Sequence, residues 1–275
     1  MRPSFRISSF LLLIAALLTP LSIDARTWRI TVDGTGDAPS IEAAMDSAAA
    51  WDTVLVAPGQ HVIERVFLAD GVVLIGEEGP TQTRLVPYPN PIGGVQSRLV
   101  CRFLSRTTQI SGFWFEGFGD EGAISASSCY DVAVSECVFV HNEIGIAVYA
   151  DYGNIRIRYN TFFGNWTAID NQRAGGHCVE NIIWDRAYGL DGLGVVCNDI
   201  LDLDGISPFW RQGNFSLDPQ FCGVDDYRIM ASSPCAPGNV PLSNPCGFIG
   251  ALPVGCAPTP VQERTWGGVK ALYWK

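Results

Sequence analysis

Residues 132–142 read VAVSECVFVHN, and residues 155–165 read IRIRYNTFFGN. The second stretch starts 23 residues after the first, with apolar residues, a Phe and a closing Asn in matching places. Working outward, residues 110–118 (ISGFWFEGF) fit the same frame with Ile110 placed 24 residues before Val134. Residues 178–184 (CVENIIW) fit it with Cys178 placed 21 residues after Ile157. A period in the low twenties, carried by short β-type runs, marks a solenoid in which each repeat makes one coil. The expected fold is all-β, a parallel β-helix of about seven or eight coils, with Val134 and Ile157 neighbours on adjacent strands.

Before the clean repeats the chain shows other punctuation. Residues 27–32 form a short strand followed by the turn DGTGD. Ser40 then offers an N-cap, and Ile41, Ala44, Met45 and Ala48 recur at helical spacing, which predicts a helix over about 40–50. Such a helix is suited to covering the N-terminal end of a solenoid, where the last strand leaves backbone groups unpaired. Residues 53–57 (TVLVA) and 72–76 (VVLIG) read as buried strands, and the Pro/Gly-rich stretch 87–94 as a loop off one corner.

Residues 1–25 carry Arg2 and Arg6, an apolar run over 10–18, a Pro20 break and a small residue at Ala25. This pattern predicts a secretory signal peptide and a secreted or cell-surface protein, with no membrane span in the mature chain. The formal net charge is −10, and removal of two Arg and one Asp with the leader leaves −11. An acidic chain without a basic block repels phosphate backbones, so nucleic acid is excluded as a partner. Polyuronates are disfavoured for the same reason unless a local Arg cluster or a bridging cation intervenes. All nine Cys lie beyond the leader. Export then favours disulfides over metal, with an odd thiol left over and at least one bridge among Cys222, Cys235, Cys246 and Cys256.

The stretch TVDGTGDAPSIEAAMDSAAAWDTVLVAPGQHVIERV, from Thr31 on, resembles the entry of the right-handed parallel β-helix proteins of the pectin-lyase-like group. The resemblance runs to about Cys256 and implies a β-helix domain over 26–257 with an N-terminal capping helix. Residues 214–256 and the ending TWGGVKALYWK (265–275) look like the closing segment and terminal tag of secreted bacterial β-helix repeat proteins. The APTP stretch before that ending reads as a spacer, which makes 258–275 a linker and tail. The fold carries lyases, hydrolases, esterases and inert scaffolds alike, so it does not fix function. The segments expected of its esterases are missing, with His61 standing near the usual Tyr place in GQHVIE. The paired-Asp and Gly-His-Gly segments of the polygalacturonase-like hydrolases are absent too.

Registering the repeats yields one constellation. Ala123, Ile146, Ile169 and Leu190 fall in one inward column, so the next residues, Ile124, Ala147, Asp170 and Asp191, point outward. Asp170 and Asp191 would then stand on adjacent coils about 4.8 Å apart. Such a pair could work as acid, base or nucleophile in glycoside cleavage, with Arg173 as counter-charge. It could equally bind Ca²⁺ with Asn171, or be two solvated turn aspartates. Asn142 and Asn165 read as a hydrogen-bonded ladder. Phe163, Trp166 and Trp184 suit either a sugar-stacking platform or packing against one another. The run RIRY (156–159) reads as a solvated strand face.

Two functional classes fit. The first is an exported, monomeric scaffold without a catalytic motif or obligatory cofactor, binding a polysaccharide or cell-surface glycan. The second is a polysaccharide-degrading enzyme using Asp170, Asp191 and Arg173.

Overall fold

The structure, a computed structural model, describes residues 25–89, 96–149, 153–202, 213–241 and 246–256. The expected signal peptide, linker and tail, and most of the 87–94 excursion, lie outside the described residues, as does the side chain of Asp191. The chain is an all-β parallel solenoid. Strands wind through three sheets of eight, six and seven strands, every neighbouring pair parallel. The coil that decides the period places Asp131–Ser135 in the first sheet, Val138–Val140 in the second and Ile144–Val148 in the third. The next coil repeats this with Asn154–Arg158, Thr161–Phe163 and Thr167–Asn171.

Six coils carry all three strands, and a seventh carries only Gly194–Val196 and Asp199–Ile200. This is fewer than the period suggests, because beyond Phe215, which still bridges Asp199, the described residues 216–241 and 246–256 leave the coil path, and Tyr227 and Leu252 lie over the outside of the second sheet. The reason is legible in side-chain chemistry. Val138, Phe139 and Val140 are apolar on both alternations and all fully buried, so that sheet needs cover on both faces. Phe139 stacks inside between Phe115 and Phe162, with centroids 4.7 Å apart on either side. Val138 and Val140 face outward with Trp114, where Tyr227 and Leu252 of the C-terminal segment bury them.

The interior is built from columns of equivalent residues. Val54, Leu74, Ile110, Val134, Ile157, Cys178 and Val195 follow one another through the first sheet, each 0% exposed. Both expected register pairs, Val134 with Ile157 and Ile157 with Cys178, are present. The helix spans Ile41–Ser47, with Ser40 Oγ accepting the Ala43 N–H at 3.2 Å, and turns Ile41, Ala44 and Met45 into the core. It packs on the strands Thr27–Ile30, Thr53–Val56 and Arg65–Phe67. At the outer edge of Thr27–Ile30, Asp37 accepts the Arg29 N–H and donates its own N–H to Arg29 O, both at 2.7 Å. That return blocks part of an edge which would otherwise offer unpaired backbone.

Two asparagine ladders satisfy the corners. The expected pair is joined by Asn142 Nδ2 donating to Asn165 Oδ1 at 2.8 Å, and Asn165 Nδ2 in turn donates to Asp185. A second ladder runs Asn160, Asn181, Asn198 and Asn214, each side-chain oxygen accepting from the Asn before it. Two disulfides fasten the C-terminal segment. Cys222–Cys256 lies within it, and Cys197–Cys246 ties it to the last coil. Cys101, Cys129, Cys137, Cys178 and Cys235 are buried thiols.

Candidate functional site

The register of the third sheet corrects the Asp column. Ile124, not Ala123, pairs with Ile146, and Asp170 pairs with Tyr188. The coils are not of constant length at their corners. Trp114 to Val138 in the second sheet is a step of 24, whereas Ile124 to Ile146 is 22. Thr161 to Ile182 is 21, whereas Ile169 to Ala187 is only 18. The shortened corner carries Leu190 and Asp191 past the strand into a 3-10 turn, Leu190–Gly192. Asp170 itself is half-buried and faces outward beside Ala147. The Asn171 carboxamide closes the following turn, accepting from Ala174 N–H at 3.0 Å and donating to Ala174 O and Gly189 O. Arg173 is exposed. Among the described residues no three His, Cys, Asp or Glu side chains gather closely enough to hold a metal ion.

The expected aromatic platform is dispersed. Phe163 packs against Phe221 and Tyr227, Trp184 packs under the C-terminal segment, and Trp166 stands 69% exposed with the Arg186 guanidinium over it. The C-terminal segment therefore absorbs the aromatics that sequence placed on an outer face.

Among the described residues no segment covers the outer face of the first sheet. Inward positions Val132, Val134, Ile155, Ile157 and Cys178 are buried, so alternation turns Ala133, Ser135, Arg156, Arg158 and His177 outward. Register sets Gln109, Ala133, Arg156 and His177 in one file, and Ser111, Ser135, Arg158 and Val179 in the next. Small side chains at Ala133 and Ser135, flanked by long ones, leave a depression of about 470 Å³. His177 closes it, its ring lying over Gly194, where a Cβ would come within 2.8 Å of Nδ1.

Both guanidiniums at this face are fixed by carboxylates. Arg156 gives Nε and Nη2 to the two oxygens of Asp131 at 3.0 and 2.5 Å. Asp131 also accepts from the Thr107 hydroxyl and the Asn154 amide, both at 2.8 Å. Burial alone would raise the Asp131 carboxyl, but the Arg156 guanidinium and these two donors outweigh it and hold it below the usual carboxylate range. Arg158 donates to Glu180 at 2.7 Å and to the Tyr159 hydroxyl at 2.8 Å, with its guanidinium over the Tyr159 ring. The hydrogen bond to Glu180 pushes the Arg158 pKa up. RIRY is thus a strand face, as its alternation suggests, and also the wall of a groove.

A second concavity, about 730 Å³, lies at the seam between the 78–82 turn and the C-terminal segment. Its aromatic floor is already occupied. The Arg84 guanidinium sits 4.5 Å over Trp114, and Tyr227 covers the indole at 5.5 Å between centroids. No indole face is left for a ring to stack on, which favours the groove over the first sheet. Gln109, Ala133, Arg156 and His177 each stand one position before the inward column, so their file follows from the period. An outward polar file reads only as a wet strand face until the carboxylates of Asp131 and Glu180 are placed beside it.

Compared with protein-family models, with curated proteins and with solved structures, the chain matches none of them. Among the described residues no helix is long and apolar enough to cross a membrane.

Proposed function

We propose that this chain is an exported β-helix scaffold of the pectin-lyase-like kind whose groove over the first sheet holds an extended, uncharged glycan. The observation that carries this reading is the file Gln109, Ala133, Arg156, His177 beside Ser135 and Arg158, with each guanidinium already paired to Asp131 or Glu180. Amide, hydroxyl, guanidinium and imidazole groups held in fixed directions suit the hydroxyls of sugars. Neutralised cations in a chain of net charge −10 give no attraction for a polyanion. Strand spacing puts Gln109 and His177 about 14 Å apart along the solenoid, so the groove suits an oligosaccharide better than one ring. Two disulfides accord with an oxidising compartment.

The test is a glycan array with neutral, uronate and sulfated members, run with parallel assays for reducing and unsaturated ends. Wild type should retain neutral oligosaccharides, and Ser135→Trp, which fills the depression beside Arg158, should lose them at least tenfold. Retention that ignores Ser135→Trp, or that selects polyanions, would overturn the proposal. New chain ends that vanish with Asp170→Asn or Asp191→Asn would favour the degrading-enzyme reading instead.

A further inference from the structure

Along the outer side of the second sheet, register lines up Trp114, Val138, Thr161, Ile182 and Asp199. Four of these meet the C-terminal segment with apolar groups or a hydroxyl, and the last meets it with a carboxyl that is 0% exposed. Asp199 lies at the joint itself. Phe215 bridges to it, Leu217 N–H donates to Oδ1 at 3.1 Å, and the Cys235 thiol donates to Oδ2 at 3.2 Å. The Trp184 indole N–H lies near the same carboxyl but makes no hydrogen bond.

The charged neighbour it feels from the covering segment is another carboxylate, Asp218. Among the described residues no Lys, Arg or His ion-pairs with it. The Cys235 thiol is pushed up by burial and by Asp199, so it stays a donor. The Leu217 N–H and the Cys235 thiol favour the ionised carboxyl, but burial without a cation, beside the Asp218 carboxylate, outweighs them and favours the protonated form.

We propose that the protonated Asp199 carboxyl is a latch holding the C-terminal segment on the last coil, and that ionising it lets the segment open while both disulfides stay closed. Burial pushes the Asp199 carboxyl up to about 7 from an ordinary 3.8. A folded pKa above the unfolded one means the latch is complete below about pH 4, weakens as pH rises, and stops weakening above about 7. Between pH 5.5 and 8 the opening equilibrium should rise about 30-fold.

Amide hydrogen exchange at Leu217, Ile249 and Gly250, corrected for intrinsic rates, reads this rise, and Asp199→Asn should abolish it. Asp185, also buried and also raised by burial, serves as control, since Asp185→Asn should leave the rise intact. A second readout needs no variant. Alkylation of Cys235, divided at each pH by its rate in the urea-unfolded protein, should climb by the same factor over that range. A flat alkylation ratio, a rise that survives Asp199→Asn, or one that disappears with Asp185→Asn would overturn the latch.

Discussion

Asn181→Ala should cost far more than its single uncharged side chain suggests. Its Oδ1 accepts the Asn160 N–H at 2.9 Å and Asn160 Nδ2 at 3.1 Å. Its Nδ2 donates to Ile157 O at 2.9 Å, Val179 O at 3.0 Å and Asn198 Oδ1 at 2.9 Å. The site is 0% exposed, so water cannot replace these partners. At about 1 kcal/mol net per buried bond the loss is about 3–5 kcal/mol. For a chain of this size that lowers Tm by about 10 °C. Asn181→Asp keeps the shape but faces a carboxylate toward three oxygens, and should be at least as damaging at pH 7 while partly recovering in acid. Calorimetry on both variants, with Gln172→Ala as an exposed control, measures the effect. Hydrogen exchange should place the loss in the coils around Asn160 and Asn198, since a solenoid repeat leans mainly on its neighbours. A loss below about 1 kcal/mol for Asn181→Ala would refute the claim that this ladder bears stability.

The two disulfides close loops of 49 and 34 residues. The chain-entropy estimate is about 4 kcal/mol for either taken alone, so the double variant Cys197→Ser, Cys246→Ser should lower the urea midpoint of the C-terminal segment. Equal midpoints with and without the bridge would contradict it. Phe139→Ala empties the middle of the stacked file Phe115, Phe139, Phe162 and should destabilise by about 3–5 kcal/mol in the same assay. A loss near 1 kcal/mol would mean the flanking rings close the gap.

The solenoid was legible because its interior is repetitive. Val134, Ile157 and Cys178 recur at steps that follow the strands, and only an inward column needs that regularity. Corners obey no such rule. A residue gained or lost there changes which side chains stand in line on the next sheet without changing the core of the previous one. That is why the first sheet follows the sequence period, while the third slips against it at both ends and Asp191 does not join the column of Asp170. The second ladder was hidden for the same reason, its steps from Asn160 shrinking from 21 to 17 and then 16 residues.

The site was harder to read than the fold because an outward side chain acquires meaning from what does or does not cover it. Val138 and Val140 carried a usable signal, since a strand apolar on both alternations demands an outer layer, and the Cys-rich closing segment was available to supply it. Once that segment is assigned to the second sheet, Phe163 and Trp184 cease to be an open platform. The first sheet has the opposite pattern, with Arg156, Arg158 and His177 alternating against buried Ile155, Ile157 and Cys178. Polar alternation by itself says only that a face is wet. What turns this wet face into a groove is the pairing of short Ala133 and Ser135 with long neighbours one coil away, together with carboxylates that arrive from Asp131 and Glu180 to hold the guanidiniums still. Each of those contacts joins residues 22 to 25 positions apart. Any search for function in such a chain has to fix coil lengths corner by corner before it compares side chains.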